Sequence, residues 1–327
     1  MITMSNNIRV GVIGVGYMGW NHAKLYKQLR GVDLVGVSDR DQRRAVETAS
    51  EFDTESMPTA ELLSEVDAVS IAVPTEYHGD IIEDSLNAGV HVLVEKPFVS
   101  NTARGRALIE RSEEEGLVLQ VGHVERFNAA VQTLVDIVSH LDIVALSTRR
   151  VGPAVDRELS DSVALDLMIH DIDIVLSILD EPLEELTSVS SIGGEHATAA
   201  MRFGDGVVVD MTASRITQRE VRKIEVVTKS GCVIADCLNQ TVEFHKAAPS
   251  LATSLNGHQL YECDGVIEHP RVTQTNPLLE ELNSFVGSIT DGTPPVVSGR
   301  DGLRAVEIAQ HIESAAHSNE QYKPLLQ

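Results

Sequence analysis

An apolar segment in the middle of the chain, DLMIHDIDIVLSIL (166–179), carries groups that can transfer protons. Four polar side chains recur in it at helical spacing: Asp166, His170, Asp173 and Ser177. At about 100° per residue these four fall within roughly 60° of one another, whereas Asp171 points elsewhere. Because a buried charge is costly unless it is paired or used, the stripe is either a satisfied Asp–His pair in a core helix or an acid and base on the wall of a cleft.

A second candidate, Lys96, follows the apolar run VHVLVE (90–95) and precedes Pro97. The run is typical of a buried strand, and the strands of a parallel sheet end at the edge where ligands bind. A lysine on a protein surface is usually a solvated charge. The position of Lys96 between Glu95 and a rigid proline, at the end of a strand, favours a functional role instead.

The run GVGYMG (14–19) fits the G-x-G-x-x-G pattern of dinucleotide-binding turns. It directly follows the strand pattern IRVGVI (8–13) and opens a helical pattern, which is the context that such a turn requires. Gly14 allows the tight turn and Gly16 lets the backbone approach the pyrophosphate, which the helix N-terminus attracts. Gly19 lets the helix lie close to the sheet. The pattern predicts a bound dinucleotide.

An acidic residue, Asp39, lies 20 residues after Gly19 at the end of the next predicted strand. Its carboxylate can accept hydrogen bonds from the adenosine ribose and would repel a 2′-phosphate. The prediction is therefore NAD, with NADP left possible because Arg40 stands beside Asp39.

The scaffold for these residues is an alternation of strand and helix patterns over the first part of the chain. Strands are predicted at 8–13, 33–38, 67–73, 90–95 and 117–121, and helices at 20–29, 41–52, 78–89 and 102–116. This alternation predicts an α/β Rossmann domain, a doubly wound parallel sheet, over residues 1–122.

The remainder, residues 123–327, has a different rhythm. Helices are predicted at 128–139, 162–179, 276–290 and 301–317, and strands at 142–150, 184–193, 196–203, 206–215, 221–228, 231–236 and 240–245. Hairpin signals such as FGDG and KSG separate several of the strands. The prediction is an α+β domain with a large, mostly antiparallel open sheet, and a loop over 247–275.

The composition excludes several kinds of partner. The 327 residues carry a formal net charge of −23, so nucleic acid and anionic membrane surfaces are not expected partners. The acidic balance suggests an enzyme of a very salty cytoplasm. Three cysteines do not form a disulfide framework, and the sequence pattern predicts neither a signal peptide nor a membrane-spanning run. A cytoplasmic protein is expected.

Taken together, the motifs resemble the glucose–fructose oxidoreductase/inositol dehydrogenase (Gfo/Idh/MocA) family of NAD(P)-dependent sugar dehydrogenases. The resemblance covers essentially the whole chain and rests on IGVGYMGWNH (13–22), VSDRD (37–41), VPTEYH (73–78), EKP (95–97), VGHVERFN (121–128) and DLMIHDID (166–173). It implies a Rossmann domain followed by an α+β domain whose open sheet is often used for oligomerisation. A homodimer or homotetramer is expected.

The resemblance implies specific roles for residues of these motifs. Lys96 and His170 correspond to the family's catalytic lysine and histidine, and Asp166 to the accompanying aspartate. The implied cofactor-binding residues are Gly14, Gly16, Tyr17, Met18, Gly19, Asp39, Arg40, Pro74, Thr75, His78, Glu95 and Lys96. The implied substrate-binding residues are Lys96, Arg126, Asn128, Asp166 and His170. One departure is Met168, where many members have glycine, which changes the expected shape of the pocket.

The chemistry expected of such a site is the oxidation of a secondary alcohol. The hydride goes to the nicotinamide and the proton to a base, for which histidine is suited near neutral pH. Asp166 can orient His170, and the ammonium group of Lys96 can stabilise the developing alkoxide. Alternatively Lys96 is the base. The sequence does not rank the two.

Within the family the motifs look most like enzymes that oxidise the 3-hydroxyl of UDP-N-acetylglucosamine or its uronic acid. Four arginines are candidates for binding the diphosphate: Arg126, Arg149, Arg150 and Arg157. A free sugar or inositol is the alternative substrate. Two other classes are a cofactor-binding sensor without turnover and a metal-dependent lyase or hydrolase. Because Cys232 and Cys237 lack partners at zinc spacing, no metal is expected.

Overall fold

The computed structural model describes residues 7–154, 162–246, 251–255, 258–262 and 265–317. Contacts divide the chain into two compact units. Unit 1 comprises the described residues up to Phe127 together with the later segment Thr275–Glu307. Unit 2 comprises the described residues from Asn128 to Gln274 and from Ile308 onward.

Unit 1 is a doubly wound α/β fold. Its strands are β1 (Ile8–Ile13), β2 (Val32–Ser38), β3 (Glu55–Ser56), β4 (Ala68–Ile71), β5 (His91–Glu95) and β6 (Leu119–Gly122). Its helices are α1 (Tyr17–Tyr26), α2 (Gln42–Glu51), α3 (Thr59–Glu65), α4 (His78–Asn87) and α5 (Thr102–Glu114). Among the described residues the strands form one six-stranded sheet in the order β3-β2-β1-β4-β5-β6, and every pair is parallel. The Rossmann prediction is confirmed.

The core of unit 1 explains why a late segment returns to it. Helix α8 (Pro277–Asp291) carries an apolar stripe in which Leu282 and Phe285 are fully buried. The two side chains join a cluster with Val10 of β1 and Tyr26 of α1. Burying two large apolar side chains contributes a few kcal/mol, which favours packing α8 against the parallel sheet. The sequence alone predicts this helix to belong to the second domain, residues 123–327.

Unit 2 is built around one large sheet. Its strands are β7 (Ile143–Val151), β8 (Leu183–Ser190), β9 (His196–Phe203), β10 (Val208–Ser214), β11 (Val221–Thr228), β12 (Gly231–Asp236), β13 (Thr241–Lys246) and β16 (Val266–Glu268). Within the described ranges these eight strands run in the order β16-β13-β12-β11-β7-β10-β9-β8. The pair β7–β10 is parallel and the others are antiparallel. The prediction of a large, mostly antiparallel sheet is confirmed.

Helices α6 (Ala129–Val138) and α7 (Ile169–Ile178) contact the sheet of unit 2. The residues of β9 and β11 alternate between buried and more exposed, as expected when one face of a sheet packs and the other does not. The last helix, α9 (Gly299–His317), is divided between the units after Glu307.

The elements differ from the sequence predictions in three places. Strand β3 and helix α3 were not predicted, because they are too short to show a clear period. The segment predicted as a loop, 247–275, contains β16 and a hairpin of β14 (Leu251–Leu255) and β15 (His258–Glu262). The helix predicted over 162–179 begins as a π-helical turn, Ala164–Met168. Over the part of the chain described, no helix is both long and apolar enough to cross a membrane.

Candidate active site

The predicted cofactor-binding residues lie along one edge of the parallel sheet of unit 1. Strands β1, β2 and β4 end side by side there, with Ile13 paired to both Ser38 and Ile71. Strand β5 ends at the same edge, next to β4. Strand β2 lies on one side of β1, and β4 lies on the other. This is the topological switch point at which open α/β sheets bind ligands.

The three glycines of the turn after β1 meet different steric demands. Gly14 has a φ of +87°, and a side chain there would lie 2.6 Å from the carbonyl oxygen of Ala72. A side chain at Gly19 would lie 1.7 Å from the carbonyl oxygen of Gly14, so only glycine fits. Gly16, in contrast, has open space around it and directly precedes α1. The open backbone at a helix N-terminus suits a pyrophosphate.

Asp39 is fixed by the backbone on both sides. Its Oδ2 accepts a hydrogen bond from the Val15 N–H at 2.8 Å, and its Oδ1 accepts from the Asp41 N–H at 2.8 Å. The bond to Val15 ties the acidic residue to the glycine turn. The guanidinium of Arg40 lies 6.0 Å from the ring centroid of Tyr77. Since each carboxylate oxygen has a second lone pair, Asp39 can still accept from a ribose.

The turn after β4 begins at Pro74 and forms a 3₁₀ turn, Thr75–Tyr77. His78, expected beside the cofactor, is almost completely buried. Its Nδ1 lies 2.9 Å from the carbonyl oxygen of Pro97, and its Nε2 lies 2.9 Å from that of Val73. Burial lowers the pKa of His78. The ring therefore joins the turns that follow β4 and β5, rather than presenting a nitrogen to a ligand.

Glu95 and Lys96 occupy the end of β5. The Oε1 of Glu95 lies 3.0 Å from Nε2 of His22, a residue of α1 that is fully buried. Burial would raise the pKa of the Glu95 carboxyl, but the hydrogen bond and charge of His22 and the charge of Lys96 outweigh it and lower the pKa. Lys96 itself is half-buried. The structure thus places a carboxylate within the core and the lysine at its margin.

The segment after β6 carries His123 and Arg126, both in unit 1. Arg126 lies in a 3₁₀ turn, Val124–Phe127, and its Nη2 donates to the Val296 carbonyl oxygen at 3.3 Å. His123 is fully buried. Burial, and then the charges of Arg126 and Lys96, lower the pKa of His123 to about 3. The His123 imidazole is therefore neutral at neutral pH.

In unit 2, Asp166 and His170 are both half-buried. The π-helical turn Ala164–Met168 lies immediately before α7, so the spacing of these two residues is not that of the regular helix assumed for the stripe. Met168, the departure from the family pattern, is fully buried. It therefore packs in the core rather than on the surface that Asp166 and His170 reach.

The other polar residues of the segment 166–179 differ in burial. Asp171 and Asp173 are both buried. Ser177 is half-buried, and its hydroxyl donates to the Ile174 carbonyl oxygen of its own helix at 2.6 Å. Of the predicted stripe, Asp173 therefore lies in the core, whereas Asp166, His170 and Ser177 are half-buried.

Arg215, which the sequence analysis did not identify, contacts Asp166. Its Nη1 lies 3.6 Å from Oδ2 of Asp166, and its other nitrogens bind Glu195. The Arg215 side chain is 11% exposed and that of Asp166 13%. Arg215 follows Ser214, the last residue of β10, and no motif in the sequence connects it to Asp166.

Two of the arginines considered for binding a diphosphate are positioned for other contacts. Arg150 is buried and pairs with Asp171, with its Nη2 2.8 Å and its Nε 3.1 Å from Oδ1. Arg149 is exposed on β7. Neighbouring residues of a strand point to opposite faces, and Arg150 faces α7. Arg149 therefore points away from the face that α7 covers. Arg157 lies outside the described residues.

Asn128, expected to line the substrate, is a buried helix cap. Its Oδ1 accepts from the Ala130 N–H at 3.0 Å and caps α6. Its Nδ2 donates to the Cys237 carbonyl oxygen at 3.0 Å. The arrangement explains an asparagine at this position without a ligand.

A parallel sheet with a glycine turn, an open helix N-terminus and an acidic residue after the second strand defines a dinucleotide-binding protein. Residues 8–123 match the family model of the Gfo/Idh/MocA oxidoreductase family with an NAD-binding Rossmann fold, and residues 133–234 match the Gfo/Idh/MocA C-terminal domain. The chain belongs to the Gfo/Idh/MocA family of NAD-binding oxidoreductases.

Similar proteins extend along nearly the whole chain. A UDP-N-acetylglucosamine 3-dehydrogenase of Acidithiobacillus ferrooxidans is 32% identical over 95% of this chain and 98% of its own. A solved structure of that enzyme covers 94% of this chain and 97% of its own, with a TM-score of 0.86. A myo-inositol 2-dehydrogenase of Thermotoga maritima is 28% identical over 91% of this chain and 93% of its own.

A scyllo-inositol dehydrogenase of Lactobacillus casei, solved with NAD(H) and scyllo-inositol, shares the fold. Its TM-score is 0.78 at 20% identity, and the match covers 96% of this chain and 98% of the other. The family model that matches residues 8–123 is that of an NAD-binding Rossmann fold. NAD is the cofactor of the family to which the chain belongs.

Proposed function

We propose that the protein oxidises a secondary alcohol of a sugar nucleotide, the 3-hydroxyl of a UDP-amino sugar, in an NAD-dependent reaction. The observation that carries the proposal is the 32% identity over 95% of the chain to an enzyme named for that reaction. The dinucleotide supplies the hydride acceptor, carbon C4 of the nicotinamide. Loss of a hydride from the carbinol carbon and a proton from its hydroxyl leaves a ketone.

His170 is the proposed base that takes the proton from the substrate hydroxyl. It is half-buried, so it combines contact with solvent and a partly shielded environment. Asp166, in the turn before it, is proposed to orient the ring and to stabilise its charged form. Asp166 also contacts Arg215, which supports a fixed position for the carboxylate.

Lys96 is proposed to donate to the same hydroxyl and to stabilise the developing alkoxide. Its location after Glu95, at the ligand-binding edge of the sheet, supports this role. If Lys96 rather than His170 were the base, replacing His170 with alanine would leave most of the turnover. We expect His170→Ala to lower kcat by about 10² to 10⁴-fold instead.

Arg126 is the proposed contact for the diphosphate among the described arginines considered for it. Arg150 is paired in the core, and Arg149 lies on the face of its sheet opposite α7. Arg126 is half-buried and belongs to the turn after β6, beside the ligand-binding edge. Replacing Arg126 with methionine should raise KM for the UDP-sugar far more than KM for NAD.

A second candidate is a free-sugar or inositol dehydrogenase, which the myo-inositol 2-dehydrogenase from Thermotoga maritima favours. The test is the absorbance of reduced nicotinamide after mixing the enzyme, in high KCl, with NAD or NADP and a panel of UDP-sugars, hexoses and inositols. A rise with NAD and UDP-N-acetylglucosamine supports the proposal. A rise with a polyol alone supports the second candidate, and NAD binding without any rise supports a sensor.

A homodimer or homotetramer, formed through the sheet of unit 2, is also proposed. Val208, Ala145 and Val227 lie side by side on β10, β7 and β11. The two valines are 48% and 38% exposed. Adjacent exposed apolar side chains on one sheet support the proposal that a second copy of the chain covers this surface. A mass of 35.5 kDa in solution, that of one chain, would contradict the proposal.

A further inference from the structure

Unit 1 contains a buried contact that the proposed mechanism does not use. Nε2 of His22 lies 3.0 Å from Oε1 of Glu95, and the His22 side chain is fully buried. His22 belongs to α1, the helix that begins at the glycine turn. Glu95 is the last residue of β5. The contact therefore joins the helix of the cofactor turn to the strand that carries Lys96.

The second oxygen of Glu95 acts on the next residue. Oε2 accepts a hydrogen bond from the backbone N–H of Lys96 at 3.3 Å. The carboxylate thus lies between the His22 ring and the Lys96 backbone. The Glu95 carboxylate also interacts with the charge of Lys96. That positive charge is one cause of the lowered pKa of Glu95.

We infer that His22 is a positioning residue for Lys96. The His22 ring holds the Glu95 carboxylate at the end of β5, and that carboxylate fixes the Lys96 backbone and balances its ammonium charge. The inference rests on the proposed role of Lys96 in the reaction. His22 has no contact of its own with substrate in this scheme, so its replacement should change kcat more than either KM.

A third group, Glu281 of α8, completes the cluster. Its side chain is fully buried, and one oxygen of Glu281, one oxygen of Glu95 and one ring nitrogen of His22 all lie within 4.8 Å of one another. Two carboxyl groups and an imidazole at these distances are also the donors that a divalent cation such as Zn²⁺ takes. The test must therefore separate positioning of Lys96 from metal binding.

The first variants are His22→Ala and His22→Gln. Glutamine keeps a terminal N–H donor at similar reach, whereas alanine removes it. Because a displacement of about 1 Å in a reacting group costs on the order of 10²-fold, we expect His22→Ala to lower kcat about 10- to 100-fold, with both KM values within about twofold. His22→Gln should recover part of the loss.

The matched control is Tyr26→Phe. Tyr26 lies one turn further along α1, is fully buried, and binds the Ser70 hydroxyl at 2.7 Å. Removing its hydroxyl deletes a buried hydrogen bond from the same helix without touching Glu95. Kcat should stay unchanged in this variant even where its melting temperature falls. Equal kcat losses in Tyr26→Phe and His22→Ala would overturn the inference.

A readout that needs no sugar substrate separates the inference from the proposed function. The rate at which acetic anhydride labels Lys96 at one fixed pH, followed by mass spectrometry, reports how the side chain is held. In His22→Ala that rate should change severalfold, because the carboxylate that accepts from the Lys96 backbone N–H is no longer held by the His22 ring. If no sugar is oxidised by the unmodified enzyme, this change still supports the positioning role.

Two further results would overturn the inference. An unchanged Lys96 labelling rate in both His22→Ala and Glu95→Gln means that neither residue acts on Lys96. One equivalent of zinc or another divalent metal in the purified enzyme, lost in His22→Ala and in Glu281→Gln, means that the cluster is a metal site. If His22→Ala fails to fold, the isosteric Glu95→Gln carries the same measurements.

Discussion

Arg150 and Asp171 form a buried ion pair that joins β7 to α7 in unit 2, with Nη2 of the arginine 2.8 Å from Oδ1 of the aspartate. The side chains are 4% and 3% exposed. Asp171 directly follows His170 in the chain. The ion pair therefore fixes the rotation of the helix on which the proposed base lies, and it makes Asp171 a structural rather than a catalytic carboxylate.

Breaking this pair should destabilise the protein strongly. Either Arg150→Met or Asp171→Leu leaves one buried partner without its counterpart, which costs about 3–5 kcal/mol. The measurement is the free energy of unfolding from urea titration. The double variant Arg150→Met/Asp171→Leu should recover much of the loss, and losses that simply add would argue against a coupled pair.

Arg215 should influence catalysis through Asp166. Arg215→Met removes the cation that lies 3.6 Å from the Asp166 carboxylate, so the carboxylate is less well fixed for His170. We expect kcat to fall about tenfold, within the range typical of a misplaced catalytic group. The control is Arg202→Met on β9, whose exposed ion pair with Glu185 should be worth little. If kcat were the same in Arg215→Met and Arg202→Met, Arg215 would have no role in the reaction.

Asp39 should determine the preference for NAD over NADP. Asp39→Asn removes the negative charge that repels a 2′-phosphate, yet keeps an oxygen that can accept from the Val15 N–H. The ratio of kcat/KM values for NADP and NAD should rise at least tenfold. Asp41→Asn, in the next turn, is the control. An unchanged ratio in Asp39→Asn would show that another residue selects the cofactor.

His123 should make the protein less stable in mild acid. Its pKa in the folded state, about 3, lies below the unfolded value of about 6.5, so the unfolded chain binds more protons between these values. The contribution of a neutral His123 to the free energy of unfolding is therefore fully present above pH 6.5, and it is lost as the pH falls toward the folded-state pKa. From pH 7 to pH 5 the expected loss from His123 is about 2 kcal/mol.

The corresponding variant is His123→Leu, which cannot be protonated. The difference between the unfolding free energies at pH 7 and pH 5 should shrink by that amount in the variant. His78, whose pKa is also lowered by burial, contributes with the same sign and remains in both proteins. A variant that loses stability with acid as steeply as the unmodified protein would contradict the assignment to His123.

Salt should stabilise the protein. At a net charge of −23 the folded chain repels itself, and ions screen that repulsion. We expect the melting temperature and the activity to rise between low salt and molar KCl. Equal values in both conditions would remove the argument for a salty cytoplasm.

The fold could be predicted well wherever the hydrophobic period was long. Strands β1, β2 and β5 and helices α2, α8 and α9 lie within a few residues of their predicted positions. In the segment predicted as a loop, β16 nevertheless pairs with β13 at the edge of the sheet. Three strand residues cannot show a period, and their structure depends on the neighbouring strand.

The candidate site divides in the same way. The glycine turn, Asp39 and Lys96 could be proposed from the sequence because the roles expected of them depend on local spacing, namely a tight turn, a helix start or a strand end. His22 and Arg215 were missed, because each matters through a partner that lies 73 residues away in one case and 49 in the other. Hydrogen bonds and ion pairs at such separations leave no period in a single sequence.

The sequence by itself determined the alternation of strands and helices, the dinucleotide turn and the residues that can carry protons, since these depend on local sterics and on side-chain chemistry. Only the tertiary structure decided which polar groups are used internally. Asn128 caps a helix, Arg150 neutralises Asp171, and His78 bridges two turns. Burial makes these assignments, because a polar group removed from water must find a partner within reach, and the packing of distant segments determines which partner that is.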